Sequence, residues 1–392
     1  MVQPPDGSKV YILTHEFFPR RGGIATFTEE MACAAARLGH SVEVWAQKAP
    51  PGTDAERSWP FTLRRLDLSG THGFRCRWAH GRQLVGERRR LRRSHVYLCE
   101  PGPMLALMPL LAFDTFRPRR LTLTFHGSEI QRFHASPITR WLTRRLIRHA
   151  EQVSVLTEFT EKLLIERFPE AKNKIFRTPG ALRNGFSATF QKTQKPAAVG
   201  ARLGVLTVGR LHPRKGQLQT LEALMRLPSD LRTRIEYRLV GVASQPEHER
   251  VLRETAKCAD FPVLFLGGLS DEALAAAYAH ADVFALTSRD HGHSVEGFGL
   301  VYFEASAHGL PVVAHEVGGV SEAVADGVSG LLVPPDRPVE LTQAFARLIK
   351  DADLRQRLGA AGPDFARRHS WDQSAQLLFG TPDEDVPGDV RT

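Results

Sequence analysis

Short runs of β-branched and aromatic residues alternate with amphipathic stretches along nearly the whole chain. The first half carries such runs at residues 10–14, 42–45, 96–98, 121–125 and 153–156. The second half carries them at 205–208, 237–240, 263–266, 283–286, 312–314 and 331–333. Between them, stretches such as 27–38 and 274–280 repeat apolar residues at helical period. Strand-forming runs separated by helices predict an α/β chain whose parallel sheets are covered on both faces. At 392 residues the chain exceeds one comfortable core, so two domains of about 150–200 residues are expected. A polar, Lys- and Gln-rich stretch at 184–201 lies between the two sets of strands and reads as a linker. The last amphipathic segment, Trp371–Phe379, precedes a polar tail, 381–392, expected to be disordered.

Four loops at predicted strand ends carry candidate chemistry. The first is Glu296-Gly-Phe-Gly-Leu-Val-Tyr-Phe-Glu304, two carboxylates around a glycine-bearing turn that opens an apolar helix. Glycines let the backbone approach a ligand, and the unpaired amides of a helix start can cradle a phosphate. Glu304, one turn inside the helix, can accept from ribose hydroxyls, and Glu296 can face a sugar; the same spacing also fits a glycine-capped helix with two surface glutamates. The second is Val208-Gly-Arg-Leu-His-Pro-Arg-Lys-Gly216, in which Arg210 and Lys215 follow a strand. Two cations at the carboxyl edge of a parallel sheet suit a diphosphate, though an exposed basic turn has the same pattern. The third is Phe125-His-Gly-Ser-Glu129, which sets His126 at a strand end, as an active-site loop residue or a structural histidine. In the fourth, Phe18-Pro-Arg-Arg-Gly-Gly-Ile24, Gly22-Gly23 opens the first helix and can admit a phosphate or an acceptor. It is not a GxGxxG fingerprint, and no acidic residue follows at the expected distance, which disfavours a dinucleotide-dependent dehydrogenase.

Composition narrows the class. With 42% hydrophobic and 24% charged residues the chain is globular. Its longest apolar run, 104–113, contains Pro109 and is too short to span a bilayer. The N-terminus lacks the basic and apolar regions of a signal peptide, so a cytoplasmic location is expected. Cys33, Cys76, Cys99 and Cys258 lie far apart without a CxxC pair, so neither zinc nor a disulfide framework is indicated. His291-Gly-His293 lacks a third metal ligand, and Asp383-Glu-Asp385 reads as a solvated charge run in the tail. The net charge of +9 calls for an anionic partner: nucleotide, nucleic acid or membrane surface.

Taken together and in this order, the four loops resemble the retaining glycosyltransferases of the GT-B fold often called family 4. The resemblance runs over residues 11–379. Its most specific parts are the E-x7-E element Glu296–Glu304 and the G-R-x4-K-G element Gly209–Gly216; Phe265-Leu-Gly-Gly-Leu269 with Asp282-Val-Phe, and Gly309-Leu-Pro-Val-Val313 with Gly318-Gly, agree. It implies an α/β fold of two Rossmann-like domains whose parallel sheets face each other across a cleft. The N-terminal, acceptor-side domain would take 1–190, with helix 366–380 packing back on it, and the C-terminal, nucleotide-sugar-binding domain 191–365. By that resemblance Arg210 and Lys215 hold the donor diphosphate and stabilise the leaving group, assisted by the amides of Gly297, Phe298, Gly299 and Leu300. Glu304 would bind ribose, Glu296 the transferred sugar, and His126 the donor sugar near the reacting centre. Gly23 would approach the diphosphate from the other domain, and the base would lie near Val240-Gly241 and Gly268-Leu269.

The resemblance also implies the chemistry: a hexosyl group passes from a UDP- or GDP-sugar to a hydroxyl acceptor with retention. It needs no metal or other cofactor and no covalent enzyme nucleophile, the diphosphate acting as base. Replacing Lys215 or Arg210 by Ala is expected to lower turnover far more than stability. An epimerase or hydrolase on the same fold, or a nucleotide-sugar-binding protein without transferase activity, stays open.

The acceptor is less legible. Residues 75–93 carry eight arginines and one acid, Glu87, and 132–149 carry five arginines and no acid. Ser136-Pro137 starts a helix that sets Arg140, Arg144 and Arg148 on one stripe beside Trp141. Like charges at that spacing repel. An anionic membrane surface would relieve them, and a solvated basic face is the plainer reading. Nucleic acid is not expected, since no binding module accompanies the charge. Together with the Gly22-Gly23 loop, this basic first half resembles phosphatidylinositol mannosyltransferases and related lipid glycosyltransferases. A lipid-linked or membrane-proximal acceptor on the inner face of the membrane follows as an expectation.

Overall fold

The computed structural model describes residues 9–20, 22–49, 58–68, 73–184, 186 and 202–380. Most of the linker expected at 184–201, the tail at 381–392 with Asp383-Glu-Asp385, the N-terminal eight residues and Arg21 lie outside them. The chain divides into two compact units, Met1–Gly180 with Ser370–Thr392, and Ala181–His369.

Among the described residues the first unit holds seven strands: β1 (Lys9–Leu13), β2 (Ser41–Gln47), β3 (Thr62–Leu66), β4 (His95–Leu98), β5 (Arg120–Phe125), β6 (Gln152–Val155) and β7 (Ile175–Arg177). They pair in the order β3-β2-β1-β4-β5-β6-β7, parallel throughout. All five expected strands are present. The two unforeseen ones, β3 (Thr-Leu-Arg-Arg-Leu) and β7 (Ile-Phe-Arg), are the sheet edges. An edge strand is half-solvated and carries polar side chains, so the apolar run that marks a central strand is missing. The helix Trp371–Phe379 belongs to this unit. It lies on the helix Gly23–Arg37, with Trp371 edge-on to Phe27 at 5.4 Å and Arg37 paired with Asp372.

The second unit holds β8 (Leu203–Val208), β9 (Ile235–Val240), β10 (Val263–Gly267), β11 (Val283–Leu286), β12 (Val312–His315) and β13 (Gly330–Val333). They run parallel in the order β10-β9-β8-β11-β12-β13, with a continuous core from Val205 to Leu358. The helix Leu300–Ala307 is clamped by the helix Ala352–Ala366, where Phe303 stacks on Phe365 at 5.8 Å. Among the described residues no helix is long and apolar enough to cross a membrane.

Candidate active site

In a doubly wound parallel sheet, ligands gather outside the carboxyl ends of the strands where the winding reverses. In the second unit that point lies between β8 and β11, because β9 and β10 extend one way from β8 and β11 to β13 the other. The loop after β8 makes a short 3-10 turn, Pro213–Lys215, and Gly216 then enters the helix Gln217–Met225. Gly216 has φ +70°, and a Cβ there would come within 1.8 Å of the Thr287 carbonyl. The two strand ends therefore approach as closely as backbone allows.

Glu296 is buried at this junction. Its Oε2 accepts from Lys215 Nζ at 2.7 Å, Arg214 Nη1 at 2.8 Å and Ser288 Oγ at 2.8 Å. Burial opposes ionisation of this carboxyl, but the two cations outweigh it and hold the group at about 2. Burial also pulls the Lys215 ammonium down to about 8, with Glu296 opposing and Arg214 and Arg210 adding to the shift. Near neutrality the pair is thus an ionised carboxylate under two cations. The Glu296 backbone is fixed as tightly: Gly319 N donates to its carbonyl at 2.9 Å, and Gly318, at φ +55°, leaves no room for a Cβ, which would fall 2.2 Å from that carbonyl. Arg210 is exposed, its carbonyl accepting from Gln217 Nε2.

Glu304 is equally buried and does not touch this group. Its Oε1 accepts from Arg183 Nε at 3.0 Å and its Oε2 from Tyr278 OH at 2.9 Å. Arg183 also reaches Asp271 Oδ1 at 3.1 Å, and its guanidinium lies 4.2 Å from the centre of the Phe186 ring. Burial raises the Glu304 carboxyl above its ordinary value and Arg183 pulls against that shift. Both glutamates are about 5% exposed, so they are not the surface residues their spacing also allowed.

In the first unit the winding reverses between β1 and β4. A buried polar group occupies that point. Glu100 accepts from the His15 amide at 2.7 Å and the Gly102 amide at 2.8 Å, and His15 Nε2 contacts His80 Nδ1 at 2.8 Å. Burial pushes Glu100 up to about 8 and His80 down to about 3. Gly22 and Gly23 begin the helix after β1, and a Cβ built on either meets no atom within 4 Å. His126 follows β5; its Nε2 donates to the Cys99 carbonyl at 2.8 Å, and its amide donates to Glu129. Phe27 packs edge-on to its ring at 5.2 Å.

Comparison with known proteins decides what kind of protein this is. A glycosyl transferase 4-like domain model matches residues 22–179, and a glycosyl transferases group 1 model matches 190–365. The GDP-mannose-dependent alpha-(1-6)-phosphatidylinositol monomannoside mannosyltransferase of Mycobacterium tuberculosis is 30% identical over 388 residues, covering 95% of this chain and 97% of that one. The chain belongs to the group 1 glycosyltransferases.

The glycosyltransferase shares its GT-B fold with solved structures. A sucrose-phosphate synthase from Thermosynechococcus elongatus superposes with a TM-score of 0.76 at 21% identity, covering 95% of this chain and 97% of that one. Anabaena Alr3699/HepE in complex with UDP and glucose gives 0.75 at 20% identity, covering 97% and 100%. Within the second unit of this nucleotide-sugar glycosyltransferase, Lys215 and Glu296 are in direct contact, while Glu304 stands apart with its own partners. Gly297, Phe298 and Gly299 lead into the helix that starts at Leu300, and Gly268-Leu269 follow β10. Ser288 and Arg183 carry no local signal in the sequence, because their partners lie 8 and 121 residues away. Arg214 stands inside the recognised loop, and the motif's pattern names Arg210 and Lys215 rather than it, although it reaches Glu296. Glu100 had a readable signal, a carboxylate just past a strand end.

The basic helix Pro137–His149 differs from its expected picture in one respect. Arg144 and Arg148 share Glu170, at 3.4 and 3.3 Å, and Arg140 donates to the His134 carbonyl. Their mutual repulsion is therefore relieved within the chain, by an acid that lies beyond the helix in sequence. Trp141 stays exposed, with Arg145 beside its ring at 5.8 Å, and lines a shallow depression with Arg145, Arg148 and His149.

Proposed function

We propose that this glycosyltransferase moves a hexosyl group, with retention and without a metal, from a nucleoside diphosphate sugar to a hydroxyl of a lipid-linked acceptor. GDP-mannose and a phosphoinositol lipid are the favoured pair. The observation that carries the donor reading is the buried Glu296 carboxylate held ionised by Lys215 and Arg214 at the point where the sheet winding reverses. An ammonium has three donors and Lys215 places one on Glu296, leaving two for a phosphate oxygen. Glu296 is left with acceptor capacity for sugar hydroxyls. As the bond between the anomeric carbon and the diphosphate breaks, negative charge grows on the departing oxygen. Lys215 and Arg214, already fixed on Glu296, stabilise that charge without reorganising, and the exposed Arg210 adds its positive charge. The acceptor hydroxyl attacks from the face the diphosphate leaves, and its proton passes to the departing diphosphate. Within the first unit, Gly22 and Gly23 leave open space at the start of the helix after β1, and His126 has its Nε2 tied to the Cys99 carbonyl.

Nearly full-length similarity to a mannosyltransferase that acts on a phosphatidylinositol mannoside supports the acceptor class. So do the exposed Trp78, with Arg82 beside its ring at 5.2 Å, and Trp141, aromatic and cationic groups suited to an anionic membrane surface. The test incubates the protein with GDP-mannose or UDP-glucose, a phosphoinositol lipid and a chelator. A new glycolipid with the donor's anomeric configuration by NMR is expected. An inverted product, or activity lost to the chelator and restored by a divalent ion, would refute the mechanism; free sugar or an isomerised donor as sole product would show a hydrolase or an epimerase.

A further inference from the structure

Glu304 uses one lone pair of each oxygen inside the protein, on Arg183 and Tyr278. A carboxylate has about four acceptor positions, so two remain, one per oxygen, the pattern that suits a vicinal diol. Which way those two point is set by the groups already bound. Tyr278 fixes one oxygen from the helix Asp271–Ala279. Arg183 fixes the other, and it is itself held at three sides: Glu304, Asp271 at the first turn of that helix, and the Phe186 ring beneath its plane. Its side chain is 17% exposed. A fork bridging the buried Glu304 and the partly exposed Asp271 over an aromatic face is a rigid arrangement, whereas a lysine there would supply charge without the fork. Arg183 comes two residues after the chain enters the second unit at Ala181, far in sequence from every recognised motif.

We propose that Arg183 is a positioning residue for the donor: it orients the Glu304 carboxylate so that its free lone pairs meet the two ribose hydroxyls. This rests on the reading of Glu304 as the ribose ligand. It deepens that reading by assigning the ribose specificity of the site to a residue that touches no part of the donor. Arg183 also offsets the burial that disfavours the charged form of Glu304, and a charged acceptor discriminates more strongly than a neutral one.

The experiment measures Kd for GDP, UDP and their 2′-deoxy counterparts by calorimetry on the full chain, for the parent protein and for R183Q, R183K and E304Q. The parent is expected to prefer the ribonucleotide about tenfold or more, as befits a hydrogen bond to a charged group. E304Q reduces that ratio toward one. R183Q reduces it likewise while changing the affinity for the 2′-deoxy nucleotide by less than about threefold, and R183K is intermediate. If R183Q weakens ribo- and 2′-deoxynucleotides equally while E304Q still abolishes the ratio, Arg183 is not the positioning residue and the ribose reading of Glu304 stands. If E304Q leaves the ratio intact, or the parent shows none, the ribose reading itself fails and the inference falls with it. Should R183Q not fold, R183K decides: an unchanged ratio in that variant overturns the proposal.

Discussion

Two cations that look equivalent in the sequence behave differently at the scale of single residues. Arg210 is exposed, and R210A should lower kcat/KM by about a hundredfold or more with stability changed by no more than about 0.5 kcal/mol. Lys215 is buried against Glu296, so K215M leaves a buried carboxylate with one cation fewer and should cost about 3 kcal/mol of stability as well as activity. Thermal unfolding and donor kinetics on the two variants check this; equal Tm values would contradict it. The expectation that both replacements spare the fold thus changes for Lys215, because its burial was invisible in the motif. The Lys215 ammonium, lowered to about 8, is charged below that pH and loses its proton above it. Donor kcat/KM should therefore fall as pH rises through about 8. K215R, whose guanidinium stays protonated, should lack that limb. A parent profile flat to pH 9.5 would show that Lys215 does not titrate there.

At the scale of elements, the loops matter through how closely they approach one another. G216A puts a side chain at φ +70° into the Thr287 carbonyl, and G318A does the same, at φ +55°, to the carbonyl of Glu296. Each should destabilise the protein by about 2 kcal/mol or more. Each should also weaken nucleotide binding, since the displaced loops carry Lys215 and Glu296; chemical denaturation and calorimetry read the two effects. Eleven strands were legible: nine central ones, because buried parallel strands are apolar in themselves, and the second sheet's edges β10 and β13, which are apolar although they stand at an edge. The edge strands β3 and β7 were not, since their arginines are tolerated only where one side faces water. The E-x7-E and G-R-x4-K-G elements were legible because each lies within one loop and its helix. That Lys215 touches Glu296 was not, because their contact spans 81 residues and depends on β8 lying beside β11.

For the whole molecule, the net charge of +9 and the exposed aromatic residues of the first unit lead to a prediction about surfaces. The protein should co-sediment with vesicles rich in anionic lipid and be released as salt is raised, since exposed charges are screened beyond a Debye length. W141A should weaken this more than R144Q, because Arg144 is already engaged by Glu170 while Trp141 is free to insert. Equal binding to neutral vesicles would defeat the electrostatic form of the idea. The sequence by itself determined the fold class, the family and the two loops to which we assign the donor chemistry, because periodicity and short motifs are local properties of a chain. Only the tertiary structure decided which charges stand alone. Glu296 gained Arg214 and Ser288, Glu304 gained Arg183 and Tyr278, and the arginine stripe gained Glu170. Whether a charge is buried, and what faces it, depends on which strands and helices become neighbours, and spacing along one chain does not contain that information.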